Sequence, residues 1–365
     1  MLSQDSKEVA EQLNQWTGEI HFTQLLEYHY GFQVLSARPI SGVIYLETDQ
    51  GPYGCKRIKK SELDSYKLLI QVAPWMESLS DRVMEIPVPL SSLKNEKHVL
   101  TGFARNYVIY PWIQGESMSW NHEQDWLDST VQLASFHKQS AAWEPEKKKK
   151  MKWADPSGIQ KEEAYKHEIY TLAAKWTEIP SQVDLTLSRM GTYYQSLLES
   201  IQEYDEKISG PAVREQSRVN GKLCHNNCTR KNWIRREDHK AQLIDWNQLS
   251  CQVRTKDVGD WLLTAYRSTG SKELITRIIK QYDRIHPIEE EEHALIYSRL
   301  IYPDHYLFEC KQIFEEQIYF ETTACKKLTE AKEVTSKKIA FASWYVEMMK
   351  QEFNKKVPTL YWVHL

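Results

Sequence analysis

The chain has 365 residues, of which 41% are hydrophobic and 27% charged, an ordinary composition for a globular protein. Its formal net charge of −3 gives no electrostatic reason to expect nucleic acid or an anionic membrane as a partner. The N-terminal stretch lacks an apolar core, and no segment approaches the roughly 18 consecutive apolar residues of a membrane helix. We therefore expect synthesis in the cytoplasm without a signal peptide, and reduced, mostly buried thiols for the six cysteines.

The N-terminal third is predicted to combine helix with a small sheet. Residues 8–30 have apolar side chains at helical spacing and predict one helix. Residues 43–58 predict a β-hairpin, after which Ser61 is expected to cap the helix in SELDSYKLLIQV. A second hairpin is predicted around residues 104–106. We therefore predict a first domain over residues 1–112, an N-terminal helix plus a small β-rich lobe.

The remainder, residues 113–365, is predicted to be a mainly helical domain. Its sequence predicts helices at 157–176, 183–208, 257–268, 271–284, 288–300, 305–331 and 335–353. Residues 223–249 interrupt this pattern, because two short strands at 232–235 and 241–244 flank a polar turn there. This hairpin carries the polar residues that indicate chemistry.

The spacing of four polar residues is the informative feature. His225 and Asn227 lie two apart, Asn232 follows five residues later, and Asp245 ends the second strand. Kinase-like phosphotransferases have His-x-Asp, an Asn five residues on, and a hairpin leading to an Asp-aromatic pair. A carboxylate accepts the proton of the substrate hydroxyl, while an amide oxygen and a second carboxylate hold Mg²⁺ against the nucleotide phosphates. The stretches HNNCTRKN and LIDWN keep this frame, with Asn227 in the place of the first Asp.

Together with ETDQGPYGCKRI and YPWIQGE, these stretches resemble the kinase-like spore coat proteins of endospore-forming bacteria. This CotS/YutH family belongs to the aminoglycoside phosphotransferase and choline kinase superfamily, and the resemblance covers roughly residues 30 to 330. It implies an α+β, bilobal protein-kinase-like fold with a small β-rich N-lobe and a large helical C-lobe. It also implies a location in the spore coat and other coat proteins as partners.

The resemblance assigns nucleotide and metal positions. Lys56 matches the strand lysine that contacts nucleotide phosphates, and Asn227 occupies the catalytic-base position. Asn232 and Asp245 occupy the metal-ligand positions, so ATP and Mg²⁺ are the candidate cofactors. Without the rest of the frame, Lys56 would be interpreted as an exposed strand lysine and Asp245 as a turn-stabilising aspartate.

The residues around the loop also allow other interpretations. By resemblance, His225 is the scaffold histidine of the loop and Asp257 the aspartate that braces it. Cys224 and Cys228, next to this histidine, raise the alternative of a zinc site, but no second Cys/His cluster supplies the remaining ligands. His137 lies on the apolar side of a predicted helix and is interpreted as a core histidine.

Several departures from the family pattern favour a degenerate site. Asn227 has no basic carboxylate oxygen and cannot take a proton at neutral pH. Asn226 replaces the usual Gly, and Asn247 stands where an acid is common. Glu62 lies too early in its helix to pair well with the strand lysine, and Gly42 alone does not make a phosphate-binding glycine loop.

These observations favour a catalytically impaired pseudokinase with a structural or assembly role in the coat. One alternative is an active ATP/Mg-dependent phosphotransferase acting on a small-molecule hydroxyl or amino group. A third is a regulator that binds nucleotide without turnover. Function depends on the site, so the fold alone does not decide among them.

Overall fold

The computed structural model describes residues 4–103, 105–144, 161–208 and 219–364. The chain divides into two compact units, residues 1–119 with 231–249 and residues 120–230 with 250–365. Residues 231–249, with the hairpin strands and Asp245, thus belong to the same unit as the N-terminal sheet. The division at residue 112 stays a prediction.

The first unit begins with two helices, α1 (Gln4–Thr17) and α2 (Phe22–Tyr30). The prediction of one helix over residues 8–30 was therefore wrong. Gly18 has a φ of 73° and its N–H donates to the Asn14 carbonyl at 2.8 Å, which ends α1 with a left-handed residue. The Asn14 side chain then accepts the Phe22 N–H at 3.1 Å and fixes the start of α2.

A five-stranded antiparallel sheet follows, with the order β1-β2-β3-β5-β4. Its strands are β1 (Val34–Ile40), β2 (Val43–Thr48), β3 (Gly51–Ile58), β4 (Leu100–Thr101) and β5 (Asn106–Pro111). Both predicted hairpins are present, whereas β1 was not predicted. β1 is an edge strand with no buried residue, so it lacks the apolar alternation by which strands are recognised.

The helices α1 and α2 cover one face of this sheet. Leu13, Phe22 and Leu26 are fully buried and belong to one hydrophobic cluster with Cys55 and Tyr107 of the sheet. The Tyr107 hydroxyl donates to the Thr17 carbonyl at 2.8 Å, which ties β5 to the end of α1. Because successive strand residues alternate between faces, Lys56 lies on the opposite face from its neighbour Cys55.

The helix α3 (Leu63–Glu77) follows a 3₁₀ turn at Lys60–Glu62. The predicted cap at Ser61 was wrong, because this residue lies inside the 3₁₀ turn. The first unit also contains a three-stranded antiparallel sheet of β6 (Glu116–Ser117), β8 (Trp233–Arg235) and β9 (Ala241–Leu243) in the order β6-β8-β9.

The second unit is mainly helical. Its helices are α4 (Glu123–Ser140), α5 (Lys161–Trp176), α6 (Gln182–Ile208), α7 (Thr255–Thr269), α8 (Lys272–Ile285), α9 (Glu290–Ile301), α10 (Asp304–Phe314) and α11 (Glu321–Phe353). Between them, β7 (Leu223–Cys224) and β10 (Ser250–Cys251) pair antiparallel. The predicted division into helices at 305–331 and 335–353 was wrong, because α11 runs unbroken through residues 332–334. The predicted start of a helix at residue 157 falls outside the described residues.

The core of the second unit is aromatic. Trp126 of α4 and Trp261 of α7 have ring centroids 5.2 Å apart, and the Trp261 indole donates to Thr130 at 2.9 Å. Phe341 and Tyr345 of α11 are buried, so this C-terminal helix packs into the core. Among the described residues, none of the helices has the length and apolar content needed to cross a bilayer.

Candidate active site

The loop that carries Asn227 lies in the second unit, directly after β7, and is held by Asp257. One oxygen of this carboxylate accepts the His225 N–H at 2.6 Å and the other accepts the Asn226 N–H at 2.8 Å. Asp257 lies in the first turn of α7 and is fully buried, as is His225. Asn226 has a φ of 61°, a left-handed conformation that Asn tolerates and Gly adopts more freely.

His137 of α4 completes this buried network. Its Nε2 lies 3.3 Å from Asp257 and its Nδ1 lies 2.7 Å from the Tyr282 hydroxyl. Burial lowers the pKa of His137 by more than Asp257 raises it, so the ring is neutral at neutral pH. Burial also penalises the charge on Asp257, but the hydrogen bond from His137 and the nearby Lys256 outweigh it and lower its pKa. An ionised Asp257 therefore accepts from both backbone N–H groups and from a neutral imidazole.

The position of Asn227 is set by backbone hydrogen bonds. Its N–H donates to His225 Nδ1 at 3.2 Å, and its carbonyl accepts the Thr229 N–H at 2.8 Å. The loop therefore has an ordered and well-supported backbone. The side chain presented by that backbone is an amide, which has no carboxylate oxygen to act as a general base.

Lys56 and Asp245 meet in the first unit. Lys56 lies in β3 and Asp245 follows β9, and the ammonium and carboxylate form a direct ion pair and hydrogen bond. The two side chains are only 14% and 29% exposed, so solvent screens this pair less than a surface pair. Asn232 is buried, and its carbonyl accepts the Ile244 N–H at 2.8 Å, which places it across the hairpin from the start of the Asp245 turn.

Glu62 and Asn247 form a second link in the same unit. The Asn247 amide donates to one oxygen of Glu62 at 2.7 Å, and the Lys59 N–H donates to the other at 2.8 Å. Both oxygens of Glu62 are thus engaged at the start of α3, while Lys56 has Asp245 as its partner. The sequence indicated that Glu62 is poorly placed for the lysine, but it gave no sign of the bond to Asn247, which lies 185 residues away.

Aromatic rings fill the sheet face that carries Lys56. Tyr45, Gly54 and Tyr110 lie side by side in register on β2, β3 and β5, with Gly54 two residues before Lys56. A Cβ atom on Gly54 would lie 2.7 Å from the Tyr110 ring, so this ring covers the glycine. The Tyr45 and Trp112 ring centroids are 5.1 Å apart. The Tyr45 and Tyr110 rings therefore share the sheet face of the lysine, and Tyr110 covers Gly54 on that face.

In this arrangement the two charged residues, Lys56 and Asp245, are paired with each other. Mg²⁺ is held in proteins by carboxylates together with substrate phosphates. Here Asp245 and Lys56, which the sequence resemblance assigned to the metal and phosphate positions, neutralise each other. Either ligand would have to break this ion pair.

A cavity of about 450 Å³ lies next to Lys56. Its walls include Trp16, Ile44 and Tyr107, which pack with the cluster under α1 and α2. Among the described residues, Asp245 and Asn232 do not line it.

The candidate zinc ligands that lie close together in the structure differ from the pair that the sequence suggested. Ligand atoms of His137, Cys224 and Asp257 lie within 4.8 Å of one another, whereas the sequence pointed to Cys224 with Cys228. The Cys224 thiol donates to the Val253 carbonyl at 3.1 Å, and burial raises its pKa well above the usual value, which disfavours the thiolate that zinc binds. Because the other two members are hydrogen-bonded as well, this cluster is a hydrogen-bond network of the loop.

Solved structures of similar shape define the class of fold. An aminoglycoside phosphotransferase from Alicyclobacillus acidocaldarius matches with a TM-score of 0.62 and 14% identity, over 88% of this chain and 94% of its own. A spectinomycin phosphotransferase, in complex with ADP and spectinomycin, matches with a TM-score of 0.61 and 12% identity, over 86% and 96%. The choline kinase LicA from Streptococcus pneumoniae matches with a TM-score of 0.51 and 14% identity, over 92% and 100%. The chain has the kinase-like phosphotransferase fold, as the sequence predicted.

The family model described as "Spore coat putative kinase YutH" matches residues 23–350. The chain belongs to this family of kinase-like spore coat proteins, which confirms the resemblance found in its motifs.

Proposed function

We propose that this protein is a catalytically impaired member of its family with a structural or assembly role in the endospore coat. The observation that carries the proposal is the loop at Asn227. His225 and Asp257 support its backbone by hydrogen bonds, yet the side chain at the base position is an amide. Loss of a general base typically costs a factor of about 10² to 10⁴ in rate.

The first unit supports the same proposal. In active protein kinases the strand lysine pairs with a helix glutamate, which leaves the metal-ligand carboxylate for Mg²⁺. Lys56 and Asp245 instead bind each other, and the Tyr110 ring covers Gly54 beside them. These contacts favour a stable structural role for the residues over repeated exchange of nucleotide.

Calorimetry with Mg·ATP tests nucleotide binding. We expect no binding heat from the parent protein at millimolar nucleotide, because binding must break the Lys56–Asp245 pair. Lys56→Ala and Asp245→Ala are the informative variants, and Lys60→Ala, an exposed lysine four residues away, is the matched control. Binding by the parent that the first two variants lose and the control keeps would favour a nucleotide-binding regulator or an active phosphotransferase.

Turnover assays test the active alternative. ADP release is measured for the parent and for Asn227→Asp with spectinomycin, choline, ethanolamine and aminopropanol, the acceptors named by structural neighbours. We expect no turnover by the parent. Phosphorylation of any acceptor by the parent at ordinary kinase rates, about 1 to 100 s⁻¹, would contradict the proposal.

Coat assembly tests the structural role. Spores that produce Asn227→Asp or Lys56→Ala in place of the parent should contain the same amount of this protein in coat extracts, measured by immunoblot. Loss of coat incorporation in both variants, with thermal unfolding unchanged, would link assembly to the nucleotide site and contradict a purely structural role.

A further inference from the structure

The helix α5 exposes a row of large apolar side chains. Tyr165, Ile169, Leu172 and Trp176 are 64%, 44%, 46% and 82% exposed. Their spacing of four, three and four residues places them on one face of the helix. Exposed apolar surface that is contiguous, as here, usually marks an interaction site. We call these four residues the α5 row.

The opposite face of α5 already packs in the core. His167 is buried, with its Nδ1 3.2 Å from Gln195 of α6, and Thr171 is buried against Gly191 of the same helix. Ile179, just beyond the helix, is 89% exposed and extends the apolar surface. The apolar residues of the α5 row are thus additional to those that fold the second unit.

We propose that the α5 row binds the α5 row of a second copy of this chain, with the two helices antiparallel about a twofold axis. In the register centred between Ile169 and Leu172, each of these residues lies opposite the other in the partner copy. Tyr165 then lies opposite Trp176, which pairs the two aromatic residues at both ends of the interface. The sequence of the row is therefore self-complementary in this orientation.

Two charges beside the row support the antiparallel orientation. Glu168 and Lys175 are exposed on the same side of the α5 row. The Lys175 ammonium donates to the Thr192 hydroxyl at 2.9 Å, and among the described residues neither side chain has a charged partner. At 1.5 Å per residue, the antiparallel register places Glu168 of one copy about 3 Å along the axis from Lys175 of the other. In a parallel twofold pair the flank that carries Glu168 and Lys175 would lie on opposite sides of the interface in the two copies, so neither residue could pair with the other across it. The charges therefore favour the antiparallel pair.

The row spans roughly 17 Å of helix axis, which corresponds to an interface at the small end of the specific class. We expect a dimer with a dissociation constant of about 1 to 100 µM. This dimer does not depend on whether the protein binds nucleotide, so it is separate from the function proposed above. In an assembled coat, where local concentrations are high, such an interface would be occupied.

Sedimentation velocity of the full chain at concentrations spanning that range tests the proposal. We expect a monomer–dimer equilibrium whose dissociation constant rises at least about tenfold in Leu172→Glu and in Trp176→Glu. Phe103→Glu, at a fully exposed apolar residue of the first unit, is the matched control and should leave the constant unchanged. A monomer at every concentration, or a dimer that is indifferent to the two row variants, would overturn the proposal.

A charge exchange tests the register. Glu168→Lys and Lys175→Glu should each weaken the dimer by about threefold or more, because each removes two symmetry-related pairs and creates repulsion. The double variant exchanges the two charges and should recover the parent constant, with far-UV circular dichroism unchanged throughout. Additive weakening in the double variant would overturn the antiparallel register.

Discussion

A single buried carboxylate, Asp257, supports the backbone of the loop that carries Asn227. Both of its oxygens accept backbone N–H groups, and His137 lies against one of them. A buried carboxylate that accepts three hydrogen bonds stabilises the fold whether or not the protein catalyses a reaction. The loss of the base at residue 227 therefore does not require the loss of the loop structure.

Asp257→Asn should lower the free energy of unfolding by about 2 to 4 kcal/mol. Two backbone N–H groups each need an acceptor oxygen here, and an amide side chain has only one. Urea denaturation at pH 7 measures the change. The matched control is Asp64→Asn, whose side chain is 90% exposed, and it should leave the stability unchanged. An equally stable Asp257→Asn protein would contradict a role for this carboxylate in supporting the loop.

The direction in which pH changes the stabilisation provided by Asp257 follows from its lowered pKa. The folded-state pKa of Asp257 is lowered, so its stabilising effect is present above its ordinary pKa of about 4 and is lost as the pH falls through the folded value. The stability of Asp257→Asn should accordingly depend less on pH below 4 than that of the parent.

At the scale of elements, the close contact between α5 and α6 depends on one glycine. A Cβ atom on Gly191 of α6 would lie 2.5 Å from both Cγ2 and Oγ1 of Thr171 on α5. In an open helix position a change from Gly to Ala stabilises by about 1 kcal/mol. Here the methyl group has no space, so the effect is expected to have the opposite sign.

Gly191→Ala should therefore destabilise the protein by about 1 to 3 kcal/mol, as overpacking of a core does. Thr171→Ala removes the two atoms that the new methyl group would meet. In that background, Gly191→Ala should be neutral or stabilising, as measured by urea denaturation of all four combinations. If Gly191→Ala stabilises the parent protein, α5 and α6 are packed less closely than the distances between Gly191 and Thr171 indicate.

Elements with a local sequence signal were predictable, whereas elements that depend on long-range contacts were not. The hairpin of β2 and β3 has β-rich segments on both sides of a tight turn, so local pattern was sufficient to predict it. The break at Gly18 and the continuity of α11 depend on backbone conformation and long-range packing, and both predictions were wrong. The family resemblance singled out Lys56 and Asp245 one by one, as candidates for separate roles. Their direct contact across 189 residues is a product of the fold that no local pattern contains.

At the scale of the whole molecule, burial lowers the pKa of four histidines among the described residues of the second unit. They are His137, His167, His286 and His293, with the pKa of His286 lowered to about 4 and that of His293 to about 3. In the unfolded chain, histidine titrates near 6.5. Below that pH the unfolded state binds protons that the folded state does not, so stability decreases as the pH falls.

His293 offers the sharpest test because it is almost fully buried, with its Nδ1 2.6 Å from the Tyr345 hydroxyl. Between pH 6 and 4, proton uptake by His293 in the unfolded state should lower the free energy of unfolding by about 1 kcal/mol per pH unit. His293→Gln cannot take up this proton, so its unfolding free energy should fall less steeply with decreasing pH than that of the parent. Urea denaturation at pH 7, 6 and 5 measures the slopes, with the exposed His122→Gln as the control that should keep the parent slope. Equal slopes for His293→Gln and the parent would mean that His293 takes up its proton inside the folded protein, and that burial does not hold it neutral.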